Sequence, residues 1–254
     1  MNFSDFEQHA IESVLKTRGA GKHAFRSSIR HLERAFELKD SMPEVAIFLG
    51  ITCEEEAATA IFHALQKRRY IGAEKLSRKS HVHKLALHPF LLAVGRSFEE
   101  IIGNRRPTLE FNETLQADGT ERLRVRISFF DKNGEETWAY PLPPLHFNMK
   151  LNGELHRFSD ELHSIASEKN AKNAREYIRF LANRRNQAIY ASPQGIPHAE
   201  DVEKFLIHRK SVWFSFLVAY LLIEPYREIQ EFVEQAVVAY LQLLRLVPDE
   251  AVQA

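Results

Sequence analysis

One cysteine in 254 residues leaves Cys53 without a partner inside the chain. That excludes an internal disulfide framework and a cysteine-only zinc site, and it fits a reducing compartment. Net charge is also missing. Lysine plus arginine and aspartate plus glutamate both total 34, so no overall field draws the chain to nucleic acid or a membrane, and any polyanion site has to be local. The longest apolar run, Val212 to Ile223, covers 12 residues, short of the ~20 a bilayer span needs, and is expected as a buried helix. The opening stretch MNFSDFEQHAIESV carries early acids and no apolar run. It resembles neither a secretory nor a lipidation signal, and a cytoplasmic setting is expected. There is no internal repeat and no low-complexity tract. At 44% hydrophobic and 27% charged, the chain is long enough for one large core, and a single domain over 1–254 is expected.

What is present is mostly helical spacing. Ser4-Asp5-Phe6-Glu7 has capping-box spacing ahead of a short first helix, which the Arg18-Gly19-Ala20-Gly21 stretch is expected to end as a flexible turn. Phe25, Ile29, Leu32 and Phe36 recur at helical intervals from about Ala24 to Asp40. Ser41-Met42-Pro43-Glu44 then offers a second capping box before a long helix from about Pro43 to Tyr70. Another helix is expected from about Ser80 to Ile102, and others after Ser159, over Ala171 to Asn186, Ala199 to Ile223 and Tyr226 to Leu246. Between them the period changes to two. Leu123, Val125, Ile127 and Phe129 alternate with Arg122, Arg124, Arg126 and Ser128, the pattern of a half-exposed strand. Asp131-Lys132-Asn133-Gly134 supplies a turn, Trp138 and Tyr140 a returning strand, and Thr108 to Leu115 a third. The expected fold is therefore mainly α with a small antiparallel β insert over 104–150.

Three polar groupings carry candidate chemistry. Glu54-Glu55-Glu56 on the long helix suggests a metal centre with His63, but none of the twelve histidines has a glutamate three residues before it. The Glu-x-x-His pairs of helical di-iron sites are thus missing, as is any His-Glu-x-x-His zinc motif. No metal or cofactor is expected. These glutamates are expected to be structural, at least one of them buried and paired with a basic side chain from another helix. His81, Lys84 and His88 share a helix face, with His83 beside them. They are candidates for RNA or partner binding, or for pairing with the acidic cluster. Arg122, Arg124 and Arg126 project from one strand face, suited to a phosphate backbone or an acidic partner, or simply to blunting an edge strand. Few aromatic residues are expected on that face. Gly19-Ala20-Gly21-Lys22 lacks the Walker spacing of a phosphate loop.

The remaining motif is Ala182-Asn183-Arg184-Arg185-Asn186-Gln187-Ala188-Ile189-Tyr190-Ala191-Ser192-Pro193, a basic helix end broken by proline. Taken with Glu54-Glu55-Glu56 and His81-Val82-His83-Lys84, its order and spacing resemble the abortive-infection AbiV family of the HEPN superfamily, over roughly 24 to 103 and 159 to 223. The resemblance implies an up-and-down helical bundle, often a homodimer, acting in bacterial phage defence. It also implies RNA binding or metal-independent endoribonuclease activity at a dimer cleft, through an Arg-x4-6-His motif. On this sequence Arg185 and Asn186 match that motif, Arg184 adjoins it, and Tyr190 stands in the place of the histidine. The arginine would clamp the phosphate as its charge grows. A tyrosine acting as base near neutral pH needs a downward shift of about three units, or ~4 kcal/mol of bias. The bare pattern occurs four more times, as Arg18 with His23, Arg26 with His31, Arg78 with His83, and Arg157 with His163, about the number that chance supplies. A non-catalytic protein that binds a phage or host protein is the alternative.

Overall fold

The structure, a computed structural model, describes residues 1–102, 107–112, 121–130, 132–187 and 201–245, without the side chains of 100–102, 112 and 184–187. It is mainly helical with a small antiparallel sheet. Helix α1 (Asp5–Lys16) starts at the expected capping box, with the Glu7 N–H donating to Ser4 Oγ and the Ser4 N–H to Glu7 Oε2 at 2.7 Å. Helix α2 (Ala20–Leu38) begins earlier than its apolar spacing suggests, directly after Gly19 at φ 104°. Gly21 is therefore not part of a turn or a phosphate loop. It lies buried in α2 where a Cβ would stand 2.8 Å from the Tyr220 ring and 3.2 Å from the Ala60 carbonyl oxygen. Both obstacles are fully packed, so Gly21→Val is expected to cost ~1–3 kcal/mol through overpacking. Urea unfolding should show a lower midpoint at an unchanged slope; an unmoved midpoint would refute the close approach.

Helix α3 (Pro43–Arg68) starts with Met42 as its N-cap and Pro43 in the first turn, and no side chain caps it. Ser41 is thus not the cap that the spacing suggested. Small residues at Gly50, Ala57, Ala58, Ala60 and Ala64 let α2 and α8 (Val202–Ile223) lie close against α3. By length and composition α8 would also cross a bilayer; in this fold Trp213, Phe216, Leu217 and Tyr220 are buried among the other helices. The single helix expected over Ser80 to Ile102 is two, α4 (His81–Leu85) and α5 (Leu87–Ile102). Pro89 explains the break: it has no N–H to offer the Leu85 carbonyl, and its ring clashes with a helical turn running through that residue.

Strands β1 (Thr108–Asn112), β2 (Arg122–Phe130) and β3 (Glu136–Ala139) form one sheet in that order, antiparallel throughout, with Glu110 opposite Arg124 and Ser128 opposite Trp138. Leu123 and Val125 face the helical core and belong to it. The Tyr226 hydroxyl donates to the Leu123 carbonyl at 2.6 Å, and Phe6 of α1 packs on Phe111, so the insert is fastened to the helices. A second hairpin, β4 (Lys150–Leu151) with β5 (Glu154–Leu155), turns through Asn152 and Gly153 at φ 52° and 86°. That Asn-Gly pair is a hairpin signal legible in the sequence, just beyond the expected insert. Helices α6 (Ser159–Glu168), α7 (Ala174–Gln187) and α9 (Glu231–Arg245) complete the body. Its core joins Phe25, Phe62, Phe158, Trp213 and Phe216.

Candidate functional site

Adjacent residues on a helix point about 100° apart, so Glu54 and Glu55 of α3 reach different neighbours. Both are buried. Glu54 accepts from Arg209 Nη1 of α8, itself buried, with the Phe205 ring 4.9 Å from the guanidinium carbon. Glu55 meets α4: His81 Nδ1 lies 2.6 Å from Oε1, and Lys84 Nζ donates to Oε2 at 3.1 Å. Burial alone would push the Glu55 carboxyl up, but the His81 hydrogen bond and the Lys84 charge outweigh it and hold the group below the usual carboxylate range. Glu56, half-buried, has no such pair among the described residues, and burial pushes its carboxyl up.

Local structure explains why α4 delivers these groups. Ser80 caps it by accepting from the His83 N–H at 3.1 Å, and His83 Nδ1 accepts from the Ser77 N–H at 3.0 Å. That bond places any proton of a neutral His83 ring on Nε2. Lys84, expected as an RNA or partner contact, is buried instead and committed to Glu55. His81 keeps 37% of its side chain exposed while Glu55 orients it. On α5, burial pushes the His88 imidazole down in pKa, near Glu54, Arg209 and the His208 ring.

Helix α7 packs along α4. It opens on a local cap in which the Lys172 N–H donates to Glu176 Oε2 and the Glu176 N–H to Asn173 Oδ1. Leu181 lines a small space with Ile51, Glu54, Leu85 and Arg209. Arg184, Arg185 and Asn186 fall in the last turn of α7 by backbone, with Arg185 four residues beyond Leu181. Their side chains, and Tyr190 altogether, lie outside the described residues. Leu181 of α7 thus lies at the Glu54 and Arg209 pair, whose members are 155 positions apart in the sequence. Among the described residues, no three His, Cys, Asp or Glu side chains are arranged to hold a metal ion.

The arginine row does share one sheet face, but it is not bare. Arg124 bonds Glu110 across the strands at 2.6 Å and stacks 3.7 Å from the centre of the Tyr140 ring. Arg122 lies over Tyr226 and Arg126 over Trp138, at 5.6 and 5.8 Å. Strand register brings Tyr140 and Trp138 beside the arginines, so the expectation of few aromatics on this face is corrected. A further group was legible only as helical spacing. His23, Arg26, Arg30, His31 and Arg34 line one depression along α2, among them the Arg26 and His31 pair that matches the bare Arg-x4-6-His spacing at the rate of chance. A larger cavity of about 690 Å³, between α9 and the β4–β5 hairpin, includes Glu154, Glu231 and Glu234 in its lining, which disfavours a phosphate there. Compared with protein-family models, curated proteins and solved structures, the chain matches none.

Proposed function

We propose that this chain is an RNA-binding protein of HEPN type, acting in bacterial phage defence at a homodimer cleft formed around the last turn of α7. The observation that carries the reading is the packing of α7, whose last turn bears Arg184, Arg185 and Asn186 by backbone, along α4, the short helix that bears His81 and Lys84. In this reading Arg185 clamps a phosphate, and Asn186 and Tyr190 hydrogen-bond the strand. Glu55 and Lys84 act as positioning residues. Their buried pair holds His81 with one ring nitrogen on a carboxylate and the ring edge exposed, the arrangement that an acid–base imidazole requires. Cleavage by such a site proceeds without metal, as a metal-independent endoribonuclease whose rate is limited by tyrosine at position 190.

The test is binding and cleavage of labelled structured and single-stranded RNA in excess chelator, with Arg185→Ala and Tyr190→His alongside the wild type. Expected are RNA affinity that falls with salt, a loss of at least ~10-fold on removing one phosphate clamp, and faster cleavage with Tyr190→His. RNA binding and cleavage indifferent to Arg185→Ala would sink the site. The second reading, a non-catalytic protein that binds a phage or host protein, draws on the exposed Phe129, Phe130, Trp138 and Leu142 at the insert. Exposed apolar side chains of this size are more typical of a protein partner than of RNA phosphates.

A further inference from the structure

The outer face of α2 carries cations that the site at α4 and α7 does not use. His23, Arg26, Arg30 and Arg34 are exposed, and with Ser27 and the half-buried His31 they line an open depression of about 410 Å³. No carboxylate lines it: Glu33 and Glu37, the acids on this stretch of helix, stand outside. Three arginines held close together with no acid between them repel one another, and an anion relieves that repulsion. His31 lines the same depression, where burial and the Arg34 charge push its imidazole down.

Geometry narrows the ligand. Arg26, Arg30 and Arg34 advance by four residues each, ~6 Å per step along the axis, so the row extends ~12 Å. One small anion cannot engage all three, whereas a strand with a phosphate at every nucleotide can. No phenylalanine, tyrosine or tryptophan lines the depression, so the arginine row favours contact with the backbone over readout of the bases. Resting on the RNA reading above, we propose that this face of α2 binds the phosphodiester backbone of an RNA strand, independently of its sequence. The guanidinium forks of Arg26, Arg30 and Arg34 take successive phosphates. His31 and Ser27 then serve as hydrogen-bonding groups at the floor of the row.

The experiment follows the anisotropy of labelled single-stranded RNA between ~50 and ~200 mM salt, for the wild type, the triple variant Arg26→Gln/Arg30→Gln/Arg34→Gln, and Arg185→Ala. Because these α2 side chains are exposed, the triple variant is expected to fold, which circular dichroism checks. Losing three phosphate contacts on a single strand should reduce the slope of log affinity against log salt by about 2. Affinity should fall at least ~10-fold at low salt, equally for unrelated sequences. A triple variant with unchanged slope and affinity, where Arg185→Ala still weakens binding, overturns the α2 proposal and leaves the α7 site standing. The reverse pattern upholds α2 and removes Arg185 from the binding site. A wild type that binds no RNA overturns both.

Discussion

Arg209→Met is expected to lower folding stability by about 3–5 kcal/mol, measured as a fall in the urea midpoint and in a melting temperature lower by roughly 10 °C. The reason lies in what stays behind. Glu54 is 1% exposed and Arg209 6% exposed, so removing the guanidinium leaves a carboxylate in the interior with neither solvent nor counter-ion. The attraction between the two charges is largely offset by the cost of taking both out of water, so the pair is far less valuable than its rupture is damaging. This asymmetry gives a sharp second arm. The double variant Glu54→Leu/Arg209→Met removes both charges and should recover most of the loss, with a large coupling energy in the double-mutant cycle. Equal losses in single and double variants would mean that packing of the Arg209 stem, not charge pairing, holds α8 to α3.

Lys84→Met should have the next largest effect, and it depends on pH. Glu55 has two basic partners, so losing one costs less than at Glu54: ~2–3 kcal/mol at neutral pH is expected. In the wild type, burial pushes the Glu55 carboxyl up, but His81 and Lys84 together bring it below its ordinary 4.5. A folded value beneath the unfolded one means that the ionised carboxylate stabilises the fold above about pH 4.5, and that this contribution disappears as pH falls through the lower folded value. Without the lysine, one of the two lowering influences is lost and the folded value rises. The gap between wild type and variant should therefore be widest near neutrality and shrink as the wild type is acidified. A gap of constant size from about pH 3 to about pH 7 would show that Lys84 acts through packing and not through the Glu55 charge.

Both predictions concern glutamates of one run of three, Glu54 and Glu55, and they mark the boundary of what residue order reveals. Three acids in a row on a greasy helix imply that some must be buried and paired, because a lone buried carboxylate is too costly. Which cation serves which acid is another matter. Arg209 is far from Glu54 in sequence and is brought to it by α8 packing on α3, while Lys84 reaches Glu55 by the packing on α3 of α4, a short helix that Pro89 separates from α5. The proline rule was available in the sequence; the helical spacing of His81, Lys84 and His88 masked it. The arginine row behaved similarly. Alternation put Arg122, Arg124 and Arg126 on one face, but Glu110, Tyr140 and Trp138 joined them only through strand register, which depends on the turn and on packing against the helices.

By itself, the sequence determined the mainly helical class, the capping box at Ser4 and Glu7, the alternating strand at Arg122 to Phe130, and the periodic cations along α2. Each is local, written in periods of two or 3.6 or in neighbours three residues apart, and local backbone geometry enforces it. Tertiary structure alone decided that Gly21 is a contact point for Tyr220, that Lys84 is buried, that Arg124 is spoken for, and that α7 packs along α4. Those outcomes depend on which helix lies against which, a choice made by the whole core burying itself at once, and no short stretch of the chain encodes it.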